Sequence, residues 1–428
     1  MVDLLKKNKM FLGLLVYQVF SGLGGGIFQL FMLLSVHMLY GNPMYTGIAS
    51  FFMMAPHLFS FVVGPFVDRS NKVSVMRITT LIEFVAVGLL VVLAHMDMLN
   101  VMFMFALILL YSITAVFEGP SGGAFLRKIV DKDELVKANS LISMAATAGG
   151  IAVAVILFRA LGGDGDNVTL PFIYATSAVF LVLAVIVTFF LKDKSHKTET
   201  PENESKIKQY IVELKSGASF VRRTNFIFYF LIAGVAVAFF VDVAYTNMPE
   251  FATTHVGAQG YIILTVTMLA AGFLSSTLAG LMGDKFRIGM LTCIVWVAAG
   301  VLRIVYANVL PISLIYGLSV NFAYGIILGY ARLIRQSLIQ KSTPKTMIAR
   351  VGTVQTTFIA AFGALGALAG GVIGSVIATV DHVFVLQGAA YVAIGLFMAL
   401  IPSIRKLPKI TEMKGAEDDE AVTETPEQ

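Results

Sequence analysis

Long apolar stretches separated by short polar turns run the length of the chain. A helix that crosses a bilayer needs about 20 mostly apolar residues. Runs of that size fall near 10–36, 44–67, 74–95, 98–118, 138–160 and 169–191, and then near 226–248, 259–283, 288–308, 310–332, 350–379 and 383–403. The pattern predicts an all-α integral membrane protein of twelve transmembrane helices, six on each side of one polar break between Lys192 and Thr224. The first part of that break, Lys192 to Ser205, reads as a flexible linker. After it, Ile207, Tyr210, Ile211, Leu214 and Phe220 recur at near-helical spacing among lysines and arginines, which predicts an amphipathic helix lying on the membrane face.

Charge then supplies orientation. Only 13% of the 428 residues are charged and 57% are hydrophobic, whereas soluble domains carry about 25% charge. The net charge of +5 raises the question of nucleic acid, but the bases are placed by topology: 29 of 31 lie on alternate turns, on one side of the predicted membrane. Lys and Arg favour cytoplasmic loops, so both termini and the central break are expected in the cytoplasm of a cell-membrane protein. The chain divides accordingly into a six-helix bundle over 1–191, a cytoplasmic linker with its amphipathic helix over 192–225, a second six-helix bundle over 226–404 and a disordered acidic tail over 405–428. The first apolar run is far too long for the core of a signal peptide and reads as a retained span. Asn167-Val-Thr169 matches a glycosylation sequon on the outer side.

Enzyme chemistry finds no support. Cys293 is the only cysteine, which excludes an intramolecular disulfide and a Cys-based metal site. There is no phosphate-binding loop of the Walker type and no His/Cys cluster, and the Gly22–Gly26 cluster lacks the strand–turn–helix setting of a nucleotide fingerprint. Neither a cofactor nor a metal is expected.

The most informative polar turn is Gly64-Pro-Phe-Val-Asp68-Arg69-Ser-Asn71-Lys72, echoed half a chain later by Gly280-Leu-Met-Gly-Asp284-Lys285-Phe-Arg287. Both copies place Gly four residues before Asp. Repetition at half-chain separation marks an internally duplicated membrane protein. With twelve spans, the six-plus-six split and this turn after spans two and eight, the chain resembles the major facilitator superfamily. Asn71 stands where that pattern has Gly and Val73 where it has a base; Asn tolerates a left-handed turn better than other non-glycine residues. The stretch from Gly119 through Ala138-Asn139-Ser140-Leu141 is similar to the loop into span five of the macrolide-efflux and siderophore-exporter branch.

A role for the turn follows from its position. At the cytoplasmic end of span two, the Asp68 carboxylate is placed to accept from N–H groups at a neighbouring helix start; the resemblance implies the start of span eleven, near Arg350. Closing that contact would latch a cytoplasmic gate, with Arg69 and Lys72 bridging to Glu118 or to lipid headgroups. The alternative for all of these bases is ordinary anchoring.

Charges inside spans cost about 2.5–3.5 kcal/mol each at the bilayer centre, so those present call for a reason. Glu83, Glu118 and Asp242 are the candidates for carrying a proton. The resemblance implies that spans one, four, seven and ten line a central cavity, which favours Asp242. Glu83 reads as a structural acid on a peripheral span, Arg303 as an outer-end residue reaching for the interface, and His57 as a core histidine. Tyr17, Gln18, Gln29, Tyr245, Asn321 and Tyr324 are the polar candidates for the cavity, joined by Phe28, Phe239 and Phe240 in an amphipathic pocket for bulky, mostly apolar molecules. Ala146, Gly150 and Ala154, and Gly366, Gly370 and Gly374, recur at four-residue spacing and predict close helix packing.

Together these readings point to a monomeric secondary transporter exporting bulky amphipathic molecules in exchange for protons, by alternating access. Its partners are then a small-molecule substrate, protons and membrane lipids, without nucleic acid. A metabolite importer or facilitator of the same fold, and a non-transporting membrane scaffold or receptor, are the alternatives.

Overall fold

The computed structural model describes residues 8–131, 134–160, 170–193, 206–282, 287–409 and 412, and among these the side chain of Asp68 is not described. The remainder of the linker, the glycosylation sequon, Asp284, Lys285 and the acidic tail from residue 413 onward lie outside the described residues.

The chain is helical throughout its described length. Its elements are α1 (Lys9–Tyr40), α2 (Pro43–Met54), a 3-10 turn (Ala55–Phe59), α3 (Ser60–Arg69), α4 (Lys72–His95), α5 (Val101–Ala115), α6 (Glu118–Ile129), α7 (Leu135–Ala160) and α8 (Leu170–Thr188). After the linker come α9 (Lys206–Arg223), α10 (Asn225–Met282), α11 (Ile288–Val309), α12 (Leu314–Ser342), α13 (Lys345–Val376), α14 (Asp381–Leu400) and α15 (Pro402–Arg405).

Among the described residues, nine helices are long and apolar enough to cross a membrane. The expected twelve are recovered once three departures are seen. Span two is split where Pro56 removes a backbone donor, giving α2, the 3-10 turn and α3. Spans seven and eight run together as α10, whose only non-helical residue is Gly257 at φ 73°. That left-handed value is open to glycine at little steric cost. The twelfth is α7.

Asparagine starts four helices of the first half, α1, α2, α4 and α5. The Oδ1 atoms of Asn8, Asn42, Asn71 and Asn100 accept from the backbone N–H groups of Phe11, Met44, Ser74 and Met102 at 2.9–3.0 Å. Each thereby satisfies a donor that the first turn leaves unpaired. Gly41 ends α1 in the left-handed conformation, its N–H donating to the His37 carbonyl at 2.7 Å.

The described residues form two compact units, residues 1–202 with 257–262, and residues 203–256 with 263–428. In the first, α1 is central. Phe11, Leu14, Phe28 and Phe31 are fully buried along it, and Ser177 of α8 donates to the Gly24 carbonyl at 2.7 Å. In the second, α10 lies against α13, where Asn247 Nδ2 donates to the Gly370 carbonyl at 2.9 Å. Gly366 and Gly370 permit this approach: a Cβ at Gly370 would stand 2.7 Å from the Val243 carbonyl oxygen, and one at Gly366 would strike that of Phe239. Gly150, in contrast, has open space around its missing Cβ and supports no such packing. The amphipathic helix α9 does not stand free. Gly217 fits against the Arg350 carbonyl of α13, and Arg350 Nη1 donates to Ser216 Oγ at 3.2 Å. Large apolar side chains such as Met102, Ile315 and Val376 are more than 70% exposed, as expected of surfaces that face lipid.

Candidate functional site

A buried polar cluster of the first unit surrounds a break in span four. Helix α5 ends at Ala115 and α6 begins at Glu118, and the break turns the Glu118 carboxylate toward α1, where it accepts the Ser21 hydroxyl. One turn earlier on α1, Tyr17 meets Thr80 of α4 at 2.9 Å. Because Thr80 gives its own proton to the Met76 carbonyl at 2.8 Å, Tyr17 is the donor. Glu83, nearly a turn beyond Thr80, is fully buried, and among the described residues neither carboxylate oxygen has a hydrogen-bond partner. Thr114 stands beside Glu83 but donates to the Tyr111 carbonyl at 2.7 Å. Glu83 and Glu118 are within electrostatic reach of one another and of both Tyr17 and Tyr111. Tyr111 is stacked on Phe28 with ring centroids 3.9 Å apart, and its hydroxyl fills the space that a side chain at Gly25 would take.

Two of the three proton-carrier candidates are therefore brought together. Among the described residues neither acid forms a salt bridge with a base; Lys128 and Asp193 do form one, at 3.3 Å. Asp242 lies in the second unit, its Oδ2 occupying the space a Cβ at Gly363 would need, 2.5 Å away.

The cavity candidates are scattered. Tyr17 is engaged as above, and Gln18 is half-buried with Nε2 packed over Gly122 of α6. Gln29 is exposed and Tyr245 half-buried. Asn321 is fully buried, donating to the Leu264 carbonyl at 3.0 Å. Tyr324 is buried beside Arg303. His57 is not a core residue; it is exposed on the 3-10 turn.

At the repeated turn, Gly64 lies in α3, Arg69 is exposed and Lys72 is buried. The Lys72 backbone N–H donates to Asp193 Oδ2 at 2.9 Å, and its ammonium donates to the Ser70 carbonyl at 2.9 Å. Asp193 also pairs with Lys128 at 3.3 Å and receives Asn71 Nδ2 on its backbone oxygen at 3.1 Å. This acid, assigned from sequence to a flexible linker, instead pins the end of span six to the start of span three. Glu118, offered as a partner for the turn, is held by Ser21. In the second copy, Gly280 lies in α10 and Arg287 is exposed just before α11.

Arg303 departs most from its expectation. It is only 7% exposed and does not reach the outer interface. Its guanidinium lies 4.7–4.8 Å from the ring centroids of Tyr306, Tyr324 and Phe384. Its Nε donates to Gln387 Oε1 at 2.6 Å, and Gln387 Nε2 donates to the Tyr391 hydroxyl at 3.1 Å. No sequence signal singled out Thr80, Tyr111, Asp193 or Gln387.

Comparison with known proteins places this geometry. The family model described as Major Facilitator Superfamily matches residues 10–367. No curated protein matches the chain by sequence. Among solved structures, a peptide transporter, POT, in complex with alafosfalin superposes with a TM-score of 0.72 at 13% identity, covering 94% of this chain and 96% of that one. The nucleoside transporter NupG gives 0.69 at 14% identity, covering 95% and 100%. A D-xylose–proton symporter gives 0.67 at 13%, covering 95% and 98%. At such identities the likeness is one of fold.

Proposed function

Because the chain belongs to the major facilitator superfamily, we propose that it is a proton-coupled secondary transporter exporting bulky amphipathic molecules by alternating access, and that Glu83 and Glu118 together carry the proton. It is a multi-pass membrane protein of transporter fold. The observation that carries the coupling is the pair itself: two acids in electrostatic reach inside a helical bundle, one of them fully buried with no hydrogen bond to its carboxylate oxygens among the described residues. An ionised, unbonded carboxylate in such surroundings costs several kcal/mol, and two like charges in low dielectric resist ionising together. A proton held on Glu83 relieves both penalties. Water admitted around α6 releases it, and the Ser21 hydroxyl then stabilises the Glu118 carboxylate that remains. Asp242 is the second candidate, with no like partner to drive its release.

Support for export comes from the Gly119–Leu141 stretch. We assign the protein to the cell membrane as a monomer of two six-helix bundles, over 1–191 and 226–404, with both termini cytoplasmic. The Gly64–Lys72 turn, with Asp68 at its centre, serves as the cytoplasmic latch, and Asp284 and Lys285 belong to its counterpart.

The test is movement of macrolides, dyes and siderophores across liposomes holding the purified protein, with and without an imposed pH gradient. Gradient-driven movement is expected in the wild type. E83Q and E118Q should keep exchange down a substrate gradient and lose the response to pH, while D242N keeps both. Full gradient-driven accumulation by E83Q and E118Q would remove the pair from the mechanism.

A further inference from the structure

The buried arginine of the second unit has no role in that scheme. Arg303 is held from two sides: three aromatic rings surround its guanidinium at 4.7–4.8 Å, and its Nε is fixed by Gln387, itself 2% exposed and braced by the Tyr391 hydroxyl. Rings supply favourable faces for a cation but no acceptor oxygen. Among the described residues, the guanidinium's hydrogen bond is the one its Nε makes to Gln387, and Nη1 and Nη2 are given none. Burying a guanidinium is costly unless its charge and its donors are met. A structural arginine of this kind is ordinarily matched by an acid, and here Asp381 is instead in hydrogen-bond contact with His255 at 2.7 Å. That contact stands one ring removed, through Phe251, which packs at 5.0 Å on His255 and 4.2 Å on Phe384.

We infer that Arg303 is a binding residue for an oxyanion, a carboxylate in the first instance, on an otherwise apolar molecule. The fork geometry explains the residue type: two parallel N–H groups match the two oxygens of a carboxylate, and a lysine would not. The aromatic surroundings of the guanidinium favour a ligand whose remainder is apolar. This rests on the transporter reading only for its biological use, in that the exported amphipath would be anionic or zwitterionic. The binding site stands on its own geometry.

The molecule carries its own reporter. Trp296 is the only tryptophan, and it packs edge-to-face on Tyr391 at 5.4 Å, three contacts from the guanidinium through Tyr391 and Gln387. The experiment is titration of the purified full chain in detergent with hexanoate and cyclohexanecarboxylate and, in parallel, their primary amides, following tryptophan fluorescence. Carboxylates are expected to bind at least tenfold more tightly than the matched amides. R303M should abolish that preference, and R303K should weaken carboxylate binding by several-fold while leaving amide binding unchanged. Equal binding of acid and amide by the wild type, or an undiminished preference in R303M, overturns the inference. The wild-type comparison decides the matter even where a variant fails to fold. Liposome flux separates the two readings: carboxylate binding with no flux of any compound overturns transport and leaves the site, whereas flux indifferent to the carboxylate overturns the site's role in selection and leaves transport.

Discussion

Replacing Gly388 by alanine should loosen the whole arginine cage without touching it. Helices α11 and α14 cross backbone to backbone: a Cβ at Gly388 would lie 2.6 Å from the Gly300 carbonyl oxygen, where ordinary contact begins at 3.4 Å, a deficit of about 0.8 Å. The neighbours are backbone atoms and the Ile304 side chain on the same helix, so relief requires the helices to part. Gln387, next in sequence, moves with α14. Its 2.6 Å hydrogen bond to Arg303 would stretch to about 3.4 Å, outside the normal range. Overpacking costs roughly 1–3 kcal/mol, and a hydrogen bond to a charged group contributes about 1.5–3 kcal/mol. With part of each recovered by relaxation, we expect G388A to lose roughly 2 kcal/mol. G300A should cost a similar amount, since a Cβ there meets the Gly388 carbonyl at 2.5 Å. The double variant should cost much less than the sum, because one separation accommodates both methyl groups. Equilibrium unfolding in mixed micelles measures all three, and the Trp296 emission reports the cage. Additive losses, or a G388A protein as stable as the wild type with unaltered emission, would refute the argument.

Other expectations follow from the same contacts. D193A removes a 3%-exposed acid that receives the Lys72 N–H and the Lys128 ammonium, and thermal unfolding should show a loss of about 2 kcal/mol, with D193N losing less because it keeps an acceptor. E83Q removes no hydrogen bond, since neither Glu83 oxygen has a donor; its melting temperature should stay level or rise while gradient coupling disappears, and a fall equivalent to more than about 2 kcal/mol would mark Glu83 as structural. G217V drives a branched side chain into the Arg350 carbonyl, 2.8 Å from the position of its Cβ. It should undock α9, seen as faster tryptic cleavage after Lys215, Arg222 and Arg223 with the remaining helices intact.

Much of this architecture is legible in the pattern of apolar runs, because lipid permits only helices with every backbone group paired within the segment. The misreadings lie where a run hides a break or a joint. Pro56 sits within an unbroken apolar stretch, so hydropathy passes over the 3-10 turn at His57. Gly257 joins two spans through a single residue, where composition implies a loop. The acids illustrate a different limit. Glu83 and Glu118 are each visible as charges in apolar runs, but their meeting depends on the rotation of α4 and α6 about their own axes, and nothing in either segment fixes that phase. Arg303 is misread for a related reason: a long basic side chain near a helix end is usually drawn to the interface, and only the convergence of Tyr306, Tyr324 and Phe384 from three helices gives it a reason to stay inside. Asp193 fell in a stretch whose composition speaks for disorder, and one buried carboxylate is too little to alter that composition.

The four asparagine caps carry a consequence for chemical ageing. Asn42 and Asn100 are exposed and use only their side-chain oxygen; deamidation to aspartate would keep that acceptor and add a negative charge that the helix start favours. Asn8 and Asn71 also spend the amide N–H₂, on the carbonyls of Ile129 and Asp193. The same spontaneous reaction there would set a carboxylate against a carbonyl oxygen and sever a link between distant segments. Asn42 is spared, because Pro43 after it has no backbone N–H to attack the side chain; old protein should thus tolerate the change at Asn100 and lose cohesion through Asn8 and Asn71.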